Sequence, residues 1–178
     1  MARFVASLCG TALLAFAMSA NATTPPVPVL NWNPCSPDGA VCAAAQVPLD
    51  YDAPAGAKTF VVLARYPVNP ATKIGTGFVN FGGPGVSGVA RLIQSGFGVS
   101  LRALLMGRFD VVAFDPRGVG YSDPMQCFDT EGDRTAFGSA LPVFPWLDDQ
   151  ERPYFDAYSS LAPRCLGRGQ PIALHMST

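Results

Sequence analysis

A run of glycines directly after an apolar stretch is the part of this sequence best suited to chemistry. Residues 76–81 are rich in β-branched and aromatic side chains, which predicts a strand, and Gly82, Gly83, Pro84 and Gly85 follow at once. Because glycine has no Cβ, such backbone can turn sharply and present unobstructed N–H groups to a ligand. N–H donors held in this way stabilise the negative oxygen of a tetrahedral intermediate in one large class of enzymes. The run therefore predicts half of an oxyanion hole.

The elements on either side of this loop predict a βαβ crossover. Apolar residues recur with helical spacing between residues 87 and 106, which predicts one or two short helices, and residues 109–114 predict a buried strand. A strand, a glycine turn, a helix and a strand within about 35 residues imply two neighbouring parallel strands. Upstream, residues 45–51 and 58–68 predict two further strands separated by a turn.

The C-terminal part of the chain has weaker patterns. Residues 127–146 are predicted to be mostly loop. Residues 148–166 predict a helix, which Pro163 should kink or end.

The first 22 residues have the features of a secretory signal. Arg3 precedes a nearly continuous apolar stretch from Phe4 to Met18, and Ala20 and Ala22 supply small residues for cleavage after Ala22. The apolar stretch is shorter than the roughly 20 residues that a membrane span needs, so no stable membrane anchor is expected. The remaining 23–178 then form one partial domain: an extended, Cys-containing lead-in over 23–44, four strands with the glycine loop over 45–123, and a disulfide-tied loop and helix over 124–178. The signal predicts a secreted or periplasmic protein.

Charge and composition exclude several classes of function. The formal net charge is −1 and the basic residues are scattered singly, so the sequence lacks the basic stripe of a nucleic-acid-binding protein. Charged residues make up only 14% of the chain, while Gly (18) and Pro (17) are abundant. This composition is typical of a loop-rich globular protein and not of a coiled coil or a disordered tail.

Four cysteines follow the predicted signal, and an even number in an exported chain favours disulfides. Three pairings are possible; we favour Cys35–Cys42 and Cys127–Cys165, because each closes a local loop. A zinc site is the alternative, although the chain has no Cys-x-x-Cys and His175 is its one histidine. We predict no metal and no cofactor.

Two motifs together resemble a known family. Residues 80–88 (Asn-Phe-Gly-Gly-Pro-Gly-Val-Ser-Gly) and residues 109–124 (Phe-Asp-Val-Val-Ala-Phe-Asp-Pro-Arg-Gly-Val-Gly-Tyr-Ser-Asp-Pro) look like those of the secreted tripeptidyl and prolyl aminopeptidases of the α/β-hydrolase fold. Residues 47–51 and the cysteines at 35 and 42 are also similar to those exported enzymes. The resemblance covers residues 32 to 178 and implies the N-terminal portion of an α/β-hydrolase fold, with a mostly parallel sheet and flanking helices.

The resemblance also implies roles for individual residues. The backbone N–H of Gly83 would face the oxyanion, while Gly82, Pro84 and Gly85 shape the loop. Asn80-Phe81 stands where related proline iminopeptidases have a histidine before the glycines. For Asp115, Arg117, Gly118 and Gly120 we favour a structural role, as a turn with a local ion pair. The activity implied is that of an exported serine hydrolase that releases tripeptides, N-terminal proline or short peptides from a peptide substrate.

The chain departs from the family in one respect. No Gly-x-Ser-x-Gly follows the glycine loop, and the Ser, Asp and His of the family would all come after residue 178. Neither Ser87 nor His175 occupies the position of a catalytic residue; we expect His175 in a loop before a helix capped by Ser177 or Thr178. We therefore expect the N-terminal part of a longer hydrolase, truncated before the nucleophile elbow and inactive alone. We also expect marginal stability or insolubility, because the family strand order 1-2-4-3-5 would leave 76–81 as an open edge.

Two alternatives remain open from the sequence. The fold hosts many chemistries, so a secreted esterase or another α/β-hydrolase is one of them. A secreted binding module without catalytic activity, which keeps the glycine loop as scaffold, is the other.

Overall fold

A computed structural model describes residues 24–83, 85–94, 96–168 and 171–176. The predicted signal peptide, Pro84 of the glycine loop, and the predicted helix cap at Ser177 or Thr178 lie outside these residues. In chain order the elements are β1 (Asn33–Pro34), β2 (Val41–Pro48), β3 (Lys58–Tyr66), β4 (Gly75–Phe78), α1 (Gly88–Ile93), α2 (Phe97–Leu104), β5 (Phe109–Phe114), α3 (Glu131–Ser139), α4 (Asp148–Ser159), α5 (Leu161–Gly167) and a 3₁₀ turn (Pro171–Leu174).

The strands form one sheet in the order β1-β2-β3-β5-β4. The predicted crossover is confirmed, because β4 and β5 pair in parallel and are joined through α1 and α2. The order of the four predicted strands, with 109–114 between 58–68 and 76–81, is confirmed as well.

The prediction of a mostly parallel sheet is wrong for the described residues. β1 with β2, β2 with β3, and β3 with β5 are antiparallel, which leaves β4–β5 as the parallel pair. For β2 and β3 the reason is the length of their connection. β2 and β3 are joined by a short turn closed by the Leu49 N–H, which donates to the Ala57 carbonyl at 2.9 Å, and a short turn can join only antiparallel strands.

The core lies between one face of the sheet and the helices α1 and α2. Side chains of β3, β5 and α1 meet there and are fully or almost fully buried; they include Tyr66, Val89, Leu92, Val111 and Ala113. Alternate residues of a strand point to the same face, so Val111 and Ala113 both face the helices. This packing holds α1, and with it the end of the glycine loop, against β5.

A charge cluster ties the other end of β5 to its neighbours. Asp110 is 3% exposed and accepts hydrogen bonds from Lys73 Nζ at 2.6 Å and from the Val68 N–H at 2.9 Å, with Arg65 at 3.7 Å. Burial pushes the pKa of Asp110 upward, but the Lys73 and Val68 bonds and the charges of Lys73 and Arg65 together hold it below its ordinary value. The carboxylate is thus fully engaged at the amino end of the strand.

The C-terminal part differs from prediction in two places. Helix α3 lies within 127–146, which was predicted to be mostly loop. It begins with a capping box in which Thr130 and Asp133 bond each other's backbone N–H groups. The predicted single helix over 148–166 is instead two helices, α4 and α5, divided at Ser160. The break agrees with the prediction that Pro163 kinks or ends the helix, because a proline disrupts the hydrogen bond to the carbonyl four residues earlier, here Ser159.

Several strand boundaries also differ; β2 ends at residue 48 instead of 51, and β3 at residue 66 instead of 68. β2 begins at residue 41 instead of 45, because Cys42 and Val41 pair with both β1 and β3. β4 ends at Phe78 instead of residue 81, since the chain turns at Asn80 into the glycine loop. Among the helices of the described residues, none has the length and apolar character needed to cross a membrane.

Candidate oxyanion loop and its supports

The glycine loop leaves the sheet at the carboxyl end of β4. The Val79 N–H donates to the Val112 carbonyl at 2.8 Å, which extends the pairing with β5 by one residue. Asn80 then starts the turn, because its Oδ1 accepts from the Gly82 N–H at 3.0 Å. The asparagine thus shapes the loop directly.

Gly83 has the geometry of a backbone donor at a tight turn. Gly82, Gly83 and Gly85 have φ values of 80°, 153° and 82°, which favour glycine. A Cβ on Gly83 would also lie 3.1 Å from the Gly85 nitrogen, tighter than side chains normally tolerate. Gly83 is exposed, and within the described part of the chain its N–H donates to no group. Its role towards an oxyanion stays a prediction.

Ser87 and Asp115 anchor the far end of the loop. Ser87 is the N-cap of α1, and its Oγ accepts from the Ala90 N–H at 3.0 Å while it donates to the Asp115 carboxylate at 2.9 Å. The same carboxylate accepts from the Val89 N–H at 3.0 Å. Asp115 is 0% exposed, so these bonds form without competition from water. The glycine loop is therefore held between Asn80 at its start and Asp115 at its end.

The turn after β5 is also hydrogen-bonded to β3. Asp115 Oδ2 accepts from the Tyr121 N–H at 2.9 Å, and the Ser122 Oγ donates to the Asp115 carbonyl at 2.7 Å. Ser122 Oγ also accepts from the Val62 N–H of β3 at 2.8 Å. The motif over residues 115–123 is thus a rigid support that connects β3, β5 and the glycine loop.

The predicted local ion pair in this turn is wrong. Asp115 is engaged by Ser87 and by backbone N–H groups, whereas Arg117 Nη1 donates to the Leu49 carbonyl at 2.7 Å. The sequence placed the two charges in one turn, but the carboxylate points inward to the loop and the guanidinium points outward to the β2–β3 connection.

His175 and Ser87 are not brought together as a base and a nucleophile. The His175 N–H donates to the Ile172 carbonyl at 2.9 Å, and the residue lines a cavity of about 240 Å³ together with Asp50, Asp52 and Arg117. Ser87 Oγ is engaged by the capping bond and Asp115. Among the described residues neither side chain has the partners that an activated nucleophile or a general base requires.

A cavity beside the loop was not predicted from the sequence. It has a volume of about 250 Å³ and is lined by Phe81, Arg91, Gln94 and Phe97. Phe81 and Phe97 meet edge to face with ring centroids 5.2 Å apart. Phe81 directly precedes Gly82, so the cavity adjoins the glycine loop. Its lining comes from the loop, α1 and α2, and no spacing rule in the sequence brings those three together.

The four cysteines pair as Cys35–Cys42 and Cys127–Cys165, the pairing that the sequence favoured. This leaves none of them for the alternative zinc site. The described residues contain no group of three or more His, Cys, Asp or Glu side chains that could hold a metal ion.

Comparisons with known proteins connect the chain to hydrolases. No family model matches the chain. It is 41% identical over 105 residues to the serine protease Hip1 of Mycobacterium tuberculosis, covering 53% of this chain and 19% of that protein. It is 36% identical over 113 residues to carboxylesterase B of the same organism, covering 57% and 21%. It is 30% identical over 160 residues to the tripeptidyl aminopeptidase of Streptomyces lividans, covering 84% and 29%.

The matched stretch thus spans less than a third of the length of each of these relatives. The relatives agree in being hydrolases, and two of the three are named as peptidases. The resemblance to aminopeptidases is confirmed at this level: relatives at modest identity and partial coverage support a serine hydrolase or aminopeptidase-like family for this chain.

Proposed function

We propose that this chain supplies the oxyanion loop and its supports to an exported serine peptidase of the aminopeptidase type. The observation that carries the proposal is the Gly83 N–H, exposed and unpaired within the described residues, in a loop anchored by Asn80 and by the buried Asp115. Donors fixed before the reaction cost no reorganisation when charge develops, which is the main source of catalysis in such sites. The two disulfides support export, since disulfides persist in oxidising compartments.

In this proposal the attacking serine, the base and the acid are contributed by chain segments other than these 178 residues. The sequence contains no Gly-x-Ser-x-Gly, and Ser87 and His175 have structural hydrogen bonds. The 178-residue chain by itself is therefore expected to hydrolyse neither tripeptidyl nitroanilides nor simple esters. It is also expected to remain unlabelled by a fluorophosphonate probe, and a covalent adduct on any of its side chains would contradict this division of roles.

A chimera tests the role of the loop. The segment of the Streptomyces tripeptidyl aminopeptidase that aligns with this chain is replaced by residues 24–176, and hydrolysis of a tripeptidyl nitroanilide is measured. The chimera is expected to retain turnover. Gly83→Pro, which removes the N–H, is expected to lower kcat by about 10²–10³, the loss seen when one oxyanion donor is removed.

Gly83→Ala is the matched control for this chimera. It keeps the N–H and adds a Cβ that crowds the Gly85 nitrogen, so it reports the cost of distorting the loop alone, and a smaller loss of kcat than for Gly83→Pro is expected. Thermal melting of each variant separates a loss of fold from a loss of the donor. Equal turnover of the folded Gly83→Pro and parent chimeras would rule out Gly83 as an oxyanion donor.

An esterase is the second candidate, favoured by the 36% identity to carboxylesterase B. The same chimera tests this candidate when its hydrolysis of a nitrophenyl ester is compared with its hydrolysis of the peptide substrate. We favour the peptidase because the tripeptidyl aminopeptidase match covers 84% of the chain.

A further inference from the structure

The region that carries the glycine loop has an unusual distribution of charge. Residues 53–109 contain no Asp or Glu, although they include Lys58, Lys73, Arg91, Arg102 and Arg108 among their basic side chains. An aminopeptidase must bind the positive amino terminus of its substrate, for which carboxylates are the natural partners. This stretch of chain is suited to the opposite task, which is to bind a negative group.

Arg91 is the basic residue of this stretch that faces a cavity beside the loop. It lies on α1, where its N–H donates to the Ser87 carbonyl at 3.2 Å, and its side chain lines the 250 Å³ cavity formed with Phe81, Gln94 and Phe97. The Arg91 side chain is exposed and forms no ion pair with any described residue, whereas Arg65, Arg134 and Arg168 each have a carboxylate partner.

The two buried carboxylates of β5 and the turn after it are already engaged. Asp115, behind the loop, accepts from Ser87, Val89 and Tyr121 and is 0% exposed. Asp110, at the other end of β5, is paired with Lys73 and Arg65. Both carboxylates are therefore already hydrogen-bonded or ion-paired with other groups, and the guanidinium of Arg91 is available to a ligand.

The rest of the cavity is suited to an apolar stem. Phe81 is half-buried and packs on the core, and Phe97 meets it edge to face at 5.2 Å. Gln94 adds an amide that can donate or accept a hydrogen bond. A small cavity that is mainly aromatic, with one cation and one amide, is the arrangement that orients a ligand with an apolar body and a charged end.

We propose that this cavity is a substrate subsite that binds a carboxylate on an apolar stem, with Arg91 as its anion-binding residue. The inference rests on the proposed function, because it identifies the ligand as part of a substrate whose reacting carbonyl lies at the glycine loop. Two parts of a peptide carry this chemistry: the side chain of an acidic residue and the C-terminal carboxylate of a short peptide.

Binding to the full chain tests this without any hydrolysis. Phenylacetate and the neutral phenylacetamide are titrated while the backbone amide resonances of Phe81, Gly82 and Phe97 are followed by NMR. Phenylacetate is expected to shift these resonances with a dissociation constant of about 10 mM or lower. Phenylacetamide is expected to bind about two- to fivefold more weakly, as for loss of an exposed ion pair.

Arg91→Gln is expected to weaken phenylacetate binding by about two- to fivefold, as for an exposed ion pair, and Arg91→Lys by less, because lysine keeps the charge without the planar fork. Arg108→Gln is the matched control, since Arg108 is exposed, lacks an ion pair among the described residues and lies outside the cavity. It removes the same charge and is expected to leave binding unchanged. Equal weakening by the two Gln variants, or equal binding of acid and amide, would overturn the proposal.

Two peptides then distinguish the sources of the carboxylate. Ala-Ala-Glu-amide carries it on a side chain, and Ala-Ala-Phe with a free C-terminus carries it at the chain end. The peptide that binds more weakly to the Arg91→Gln variant identifies which carboxylate the cavity takes. If both peptides bind this variant as tightly as the parent chain, the cavity is not a peptide subsite. The titrations measure no turnover. A negative binding result therefore does not affect the test of Gly83 in the chimera, and a negative result in the chimera does not affect the binding test of Arg91.

Discussion

Asp115 is the residue on which the geometry of the glycine loop depends most. Its carboxylate accepts from Ser87 Oγ, from the first turn of α1 at Val89 and from Tyr121, all between 2.9 and 3.0 Å. The motif around it was visible in the sequence and includes Tyr121, but the other two partners were not, because Val89 and Ser87 lie 26 and 28 residues earlier in the chain. A side chain's direction out of a turn is decided by packing and not by its neighbours in sequence.

Asp115→Asn is expected to destabilise the protein by about 2 kcal/mol, because an amide can replace only part of the acceptor capacity of a buried carboxylate. Chemical denaturation measures the loss, and amide hydrogen exchange at Val89 is expected to become faster as its bond to Oδ1 weakens. Asp129→Asn is the control: that carboxylate is 83% exposed and pairs with Arg168, so a change within about 0.5 kcal/mol is expected. An unchanged denaturation midpoint for Asp115→Asn would contradict the support role.

At the scale of elements, the strands were predictable and the C-terminal helices less so. Each predicted strand is present, because runs such as 58–66 and 109–114 combine β-branched and aromatic residues between turn signals. Helix α3 buries none of its residues, so it has no apolar periodicity to detect, and its start is specified by the Thr130–Asp133 capping box instead. Sequence patterns identify elements that face a core more readily than elements that do not.

Gly98 shows how closely α2 approaches the sheet. A Cβ at Gly98 would lie 2.1 Å from the Tyr66 ring, and Tyr66 is itself fixed by donating from its hydroxyl to Asp38 Oδ2 at 2.7 Å. Gly98→Ala is therefore expected to destabilise the protein by about 1–3 kcal/mol through overpacking, despite the higher helix propensity of alanine.

Gly138→Ala in α3 is the control for this prediction. A methyl group added at Gly138 would have no atom from the rest of the described chain within 4 Å, so alanine should be neutral or should stabilise by up to about 1 kcal/mol. Denaturant unfolding of both variants compares the two effects. If Gly98→Ala proved as stable as Gly138→Ala, the close contact of α2 with Tyr66 would be wrong.

At the scale of the whole molecule, two disulfides secure regions that lie outside the main core. Cys35–Cys42 closes a short loop beside β1 and β2, with a sequence separation of 7, whereas Cys127–Cys165 spans 38 residues and joins the segment before α3 to α5. Neither α3 nor α4 buries a residue, so the second disulfide is a principal tie of these helices.

Removing each disulfide by a pair of Cys→Ala substitutions is expected to have unequal effects. Loop-closure entropy predicts a loss of about 4 kcal/mol for Cys127–Cys165 and about 2 kcal/mol for Cys35–Cys42. Circular dichroism during denaturation measures both losses and reports the helical part of the signal. The Cys35–Cys42 variant serves as the control, and a larger loss in that variant would contradict the expected order.

The order of the strands places β4, with an exposed apolar side chain, at an edge of the sheet. β4 lies at an edge of the described sheet, with β5 as its one neighbour, and Phe78 is 66% exposed there. This edge position follows from the predicted strand order. Reduced solubility remains a prediction, because open apolar edges are sites of strand pairing between molecules.

The sequence by itself determined the local features of this protein. Glycines after a strand specify a tight loop, and alternating and β-branched runs specify strands, because each of these depends on residues that are near in the chain. The even number of cysteines after the predicted signal favours disulfides, because that inference depends on composition and not on packing. Tertiary structure alone decided which side chains meet: Asp115 with Ser87, and Arg91 with Phe81 and Phe97. Those contacts depend on how α1 and α2 pack against β5, and no local pattern encodes that packing.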